Sequence, residues 1–182
     1  ELQQASDMNL FSFGQKEQPL PLVLIVEDNV RQGDLLNEVI SETGLYSCLR
    51  AGNGEEALAV LAQHERGFDF LSNKISCILL DWQMPKMHGE TFLRLLREKE
   101  HKSPFKRHTP VIIITAYGDN ELRMAAEDSS LGLASAYLLK PYDEGELLHI
   151  LKRIVFEKEG EIMRELLVEK RSRWQDNKTG NK

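Results

Sequence analysis

The sequence predicts an α/β chain: a doubly wound, five-stranded parallel sheet with helices on both faces, followed by a C-terminal helical extension. From Leu20 onward, short apolar runs rich in β-branched residues alternate five times with longer stretches of helical spacing. The runs are apolar throughout, so each strand is expected to be covered on both faces, and right-handed crossovers then make the sheet parallel. With 182 residues, 41% of them hydrophobic, the chain can bury one good core with length to spare.

Residues 1–19 are polar and lack any sustained period, as expected of a disordered N-terminal arm. The folded domain is expected over residues 20–156. Leu22–Val26 reads as a buried strand, followed by a helix from about Val30 to Thr43 with Leu35, Leu36, Val39 and Ile40 on one face and Gly44 ending it. Tyr46–Ala51 is a second strand. Asn53 then caps a second helix, with Glu56 three residues on and Ala57, Leu58 and Leu61 as its apolar stripe. Ile75–Leu80 is the third strand, and Gly89 to about Glu100 the third helix, with Phe92, Leu93, Leu95 and Leu96 facing inward. His101–His108 is basic, contains Pro104 and reads as a lengthened loop. Val111–Thr115, Asn120–Leu131, Ala136–Leu139 and Glu144–Phe156 complete the alternation as strand, helix, strand and helix. Residues 157–182 form a charged helical extension or linker and tail, with Ile162, Met163, Leu166, Leu167 and Trp174 at helical spacing, too few for a coiled-coil assignment.

The net charge of −6 and the lack of a long basic run argue against a nucleic-acid-binding surface. Cys48 and Cys77 sit among apolar or strand-forming residues, which suits reduced thiols better than a disulfide. The longest apolar runs, Pro21–Val26 and Val111–Ile114, are too short to span a bilayer, and the expectation is a soluble, cytoplasmic protein with no membrane partner. The chain begins with Glu1 rather than Met, as a piece of a longer protein would.

In doubly wound sheets ligands sit at the carboxyl ends of the strands. Those ends carry Glu27 and Asp28, Asp81, Thr115, and Lys140 followed by Pro141. Three carboxylates in one crevice repel unless a hard divalent ion such as Mg²⁺, or Mn²⁺ in its place, joins them. A carboxylate beside such an ion is also a competent nucleophile toward phosphorus. Lys140 and Thr115 supply a cation and a hydroxyl for the equatorial oxygens of a transferring phosphoryl group. Each signal has a plainer reading when alone: Glu27-Asp28 as a strand-end turn capping a helix, Tyr137 as a half-buried strand aromatic. Occurring together and at strand ends, they point to a site.

The runs VLIVEDN, ILLDWQMPKMHG, VIIITA and AYLLKPY resemble the four signatures of response-regulator receiver domains, in order, over roughly Leu20 to Phe156. The resemblance implies a flavodoxin-like sheet of order 2-1-3-4-5. It also implies a two-component signalling domain that is phosphorylated on Asp81 by a histidine kinase or phosphotransfer protein, with Mg²⁺ held by Glu27, Asp28, Asp81 and the backbone carbonyl of Gln83. Thr115 and Tyr137 resemble the family's switch pair, while Gln83 and Tyr117 stand where phosphoryl lifetime is tuned. Homodimerisation through the fourth helix, fifth strand and fifth helix, or through the C-terminal helix, is a further expectation, and no enzymatic turnover is expected beyond self-catalysed phosphotransfer and dephosphorylation.

The sequence departs from the family pattern at His88, where an acid is usual, and in longer connections before the third and fourth strands and between Thr115 and Tyr137. Two other functions compete with the switch. A metal-dependent phosphatase with an aspartyl nucleophile needs a general acid two residues on, where Gln83 cannot transfer a proton. A non-phosphorylated interaction module would have no use for the intact set of five polar residues. Trp82 belongs at the mouth of the crevice. His64, His88, His101, His108 and His149 lack ligand spacing and read as surface residues.

Overall fold

A computed structural model describes residues 19–64, 75–102, 108–116 and 134–157 of the chain. Five strands, β1 (Leu22–Val26), β2 (Ser47–Ala51), β3 (Ile75–Asp81), β4 (Val111–Thr115) and β5 (Ala136–Leu139), form one sheet of order β2-β1-β3-β4-β5 in which every pairing is parallel. The described helices are α1 (Val30–Glu42), α2 (Gly54–His64), α3 (Gly89–His101) and α4 (Glu144–Phe156). The helix expected at Asn120–Leu131, the N-terminal arm and the extension beyond Glu157 lie outside the described residues, as does Tyr117.

Alternation along each central strand divides the core in two. Leu24, Val26, Ile78, Leu80, Val111 and Ile113 face α2 and α3, where they meet Leu61, Phe92, Leu93 and Leu96. Val23, Ile25, Cys77, Leu79, Ile112 and Ile114 face the other way and meet Leu36 and Ile40 of α1 and Leu147, Leu151 and Ile154 of α4. The predicted two-sided burial therefore holds for β1, β3 and β4. It fails at the sheet edges: Ser47 and Arg50 of β2 and Tyr137 and Leu139 of β5 are exposed, because an edge strand has a neighbour on one side only. Leu35 is also a correction. At 55% exposed it lies off the α1 stripe, which is the narrower set Gly33, Leu36 and Ile40. Leu95, likewise expected inward, is half-buried.

Boundaries moved by a residue or so. Tyr46 precedes β2 rather than opening it, and its buried ring packs on Phe156 with centroids 5.5 Å apart. His101, expected in a loop, is the last residue of α3. The cap expected at α2 is present: Asn53 Oδ1 accepts from the Glu55 and Glu56 N–H groups at 3.0 and 3.1 Å. Glu56 returns the bond, its Oε2 accepting from the Gly52 N–H and its Oε1 from the Asn53 side-chain amide, both at 2.8 Å. Cys48 and Cys77 are free thiols. Both pair with Val23, from opposite sides of β1, so two strand spacings of about 4.8 Å separate them, beyond disulfide reach.

Candidate functional site

The site forms where three central strands end together. β1 runs out into Glu27, whose N–H donates to the Ala51 carbonyl at 3.0 Å, so the acid is still fixed by the sheet as the chain turns toward α1. Asn29 caps that helix, its Oδ1 accepting from the N–H groups of Arg31 and Gln32 at 3.1 and 3.2 Å. Glu27 is 3% exposed, whereas Asp28 faces solvent. Asp81 ends β3, and the loop after it closes tightly: the Trp82 N–H donates to the Ile114 carbonyl, and the Gly89 N–H to the Trp82 carbonyl, both at 3.1 Å. A Cβ at position 89 would stand 2.8 Å from the Asp81 carbonyl oxygen, so only glycine allows α3 to start this close to the strand end. Trp82 is half-buried and packs on the core beside α2 and α3, which settles its role as partly structural.

Lys140 follows β5. Its N–H donates to the Thr115 carbonyl at 2.8 Å, tying the fourth and fifth strand ends together, and the Lys140-Pro141 bond is cis. Its ammonium donates to Glu27 Oε2 at 3.0 Å, Asp81 Oδ2 at 3.1 Å and Gln32 Oε1 at 2.8 Å. Asp81 Oδ1 accepts from the Gln83 N–H at 3.2 Å. Carboxylate oxygens of Glu27, Asp28 and Asp81 all lie within 4.8 Å of one another. Thr115 is buried at the end of β4, while Tyr137, on β5, is 37% exposed.

The electrostatics follow from this crowding. Burial pushes the Glu27 carboxyl above its ordinary 4.5, Lys140 opposes the shift, and the Asp81 charge adds to it. At Lys140 partial burial disfavours the cation, but hydrogen bonds and charge from Glu27 and Asp81 outweigh it and hold the ammonium above 10.5. Burial alone pushes the Tyr137 hydroxyl up to about 12. Three carboxylates against one ammonium leave an excess of negative charge in oxygen ligands, which fits a hard divalent cation such as Mg²⁺.

Glu27, Asp28, Asp81 and Lys140 are thus brought together as the sequence predicts. Gln32 was missed. It sits three residues past its helix cap, and helical side chains lean toward the N-terminus, which aims the carboxamide at the strand ends. His88 occupies the N-cap of α3 and makes no side-chain cap hydrogen bond.

A family model for the response regulator receiver domain matches residues 23–152. The transcriptional regulatory protein CpxR of Escherichia coli K12 is 34% identical over 136 residues, covering 73% of this chain and 48% of CpxR. The chemotaxis protein CheY of Pseudomonas aeruginosa is 28% identical over 132 residues, covering 72% of this chain and 94% of CheY. The chain therefore spans about half the length of CpxR and nearly all of that CheY. Among solved structures, response regulator TrrA of Thermotoga maritima in complex with Mg²⁺-BeF is 28% identical with a TM-score of 0.56, covering 74% of this chain and 99% of TrrA. The response regulator receiver protein of Pseudomonas putida gives 25% and 0.59, covering 75% and 98%. Sheet order, strand-end acids and these likenesses agree: the chain belongs to the receiver-domain family of two-component response regulators.

Proposed function

We propose that this receiver is a phosphorylation-controlled switch that accepts a phosphoryl group on Asp81 from a histidine kinase or phosphotransfer protein. The observation that carries the reading is the environment of Asp81, a strand-end carboxylate oriented by the Gln83 N–H and Lys140 with two further acids beside it. Glu27, Asp28, Asp81 and the Gln83 carbonyl would hold Mg²⁺, which when bound supplies positive charge to the phosphoryl oxygens.

An Asp81 carboxylate oxygen attacks phosphorus, the phosphorus–nitrogen bond of the donor histidine breaks, and the imidazole leaves with the electron pair. Lys140 and Thr115 donate to the phosphoryl oxygens. Thr115 with Tyr137 forms the switch: the two lie on adjacent strands, in register with Leu139 and Ile113 respectively, and the Tyr137 ring is partly exposed, with room to change position. The changed surface is a protein–protein contact, with a second copy through the face containing β5 and α4 as one partner. The signalling unit is residues 20–156, followed by an extension or linker over 157–182.

Mg²⁺ with acetyl phosphate should add one phosphoryl group to the intact chain by mass spectrometry, and Asp81→Asn should abolish the shift. An unchanged mass in the wild-type chain overturns the proposal.

A further inference from the structure

Lys140 spends its three ammonium protons on three acceptors, Glu27, Asp81 and Gln32. Two of these are carboxylates within the acidic cluster. Gln32 alone is neutral and stands outside that cluster, on α1. It is also tied back to the same group of residues. Glu27 Oε1 accepts from the Asn29 N–H at 3.2 Å, Asn29 Oδ1 accepts from the Gln32 N–H at 3.2 Å, Gln32 Oε1 accepts from Lys140, and Lys140 donates to Glu27 Oε2. The four residues close a ring of hydrogen bonds across the mouth of the site.

We infer that Gln32 is a positioning residue for Lys140, holding the ammonium in place while its charged acceptors are exchanged. The inference rests on the phosphoacceptor reading of Asp81. When a phosphoryl group and a cation occupy the site, the carboxylate oxygens of Glu27 and Asp81 acquire other partners and Lys140 must turn to a phosphoryl oxygen. Gln32 is a neutral acceptor outside the acidic cluster, so its bond to Lys140 persists while the carboxylates change partners and fixes where the lysine points. The helix cap Asn29 fixes Gln32 in turn, so the orientation of Lys140 is set from α1 as well as from β5.

The test is Gln32→Met, which keeps length and helix propensity but has no comparable acceptor. Mg²⁺ affinity, beryllofluoride affinity at saturating Mg²⁺, the acetyl phosphate reaction rate and the melting temperature are measured on the whole chain, with tryptophan fluorescence as the binding signal. Loss of one charge-assisted hydrogen bond predicts about a tenfold weaker beryllofluoride response and a similarly slower reaction, with Mg²⁺ affinity and melting temperature unchanged. Wild-type values for both beryllofluoride affinity and rate overturn the inference. So does a parallel fall in Mg²⁺ affinity and melting temperature, which marks a merely structural residue. If wild-type protein itself fails to respond to beryllofluoride with Mg²⁺, the phosphoacceptor reading falls instead, and the two failures are distinguished.

Discussion

At the scale of single residues, the acids and lysine of the site do their work through a balance in which burial and charge oppose each other. Glu27 is buried enough that its charge is disfavoured, yet Lys140 beside it keeps a favoured positive charge. Added positive charge beside such a buried carboxyl favours its ionised form, and a bound cation would supply that charge. His88 is a residue whose effect is local. As an N-cap without a side-chain bond it leaves the first N–H groups of α3 without that partner. His88→Asp is expected to stabilise the domain by about 1 kcal/mol, seen as a higher urea midpoint at constant slope. An unchanged midpoint would mean that water already satisfies those groups. The polar residues at the strand ends were legible in the sequence because each follows an apolar run directly. Gln32 was not, because its bond to Lys140 joins positions 108 apart and no local pattern encodes it.

Elements meet the site through their ends, and one junction is held by buried charge. Near the end of α3, Arg97 donates to Glu100 at 2.6 Å and to the Thr109 carbonyl at 3.0 Å, and Glu100 accepts from the Thr109 N–H at 2.8 Å. His108 Nδ1 lies 2.9 Å from the same carboxylate. Arg97, Glu100 and Thr109 are 6%, 5% and 2% exposed, so this network fastens α3 to the start of β4, which ends in Thr115. Truncating one member strands its partner in the interior. Glu100→Ala should therefore cost about 3 kcal/mol in urea unfolding, and Arg97→Met with Glu100→Leu together should cost less than that single change. The sequence placed Arg97 and Glu100 on the third helix and His108 at the end of a basic loop, and hydropathy, which counts charges as solvent-facing, could not show that they are paired. The same limit explains Leu35: apolar spacing identifies a helix face but not its width, which the packing of Leu36 and Ile40 sets. Helix capping was more legible, since Asn53 and Glu56 act over a single turn.

For the whole molecule, apolar strands and right-handed crossovers made a parallel, two-sided sheet legible, while the order β2-β1-β3-β4-β5 was expected only from the family resemblance; that order places β1 and β3, with their acids, side by side. Which strands lie at the edges was not readable from hydrophobicity alone, since β5 carries exposed Tyr137 and Leu139. Under the proposed function, ion binding at the acids would be coupled to global stability. A ligand at about a hundredfold above its Kd adds about 2.7 kcal/mol, so Mg²⁺ should raise the melting temperature by several degrees and EDTA should reverse it. Glu27→Gln with Asp28→Asn should abolish the shift, and an equal response in that variant would place the ion elsewhere. The split core has a further consequence, for changes in chain length. Successive residues of β1 belong to opposite cores, so adding or deleting one residue within the strand would send each apolar side chain to the wrong layer and rotate Glu27 away from Lys140. Insertions are tolerable between elements and ruinous inside β1, β3 or β4.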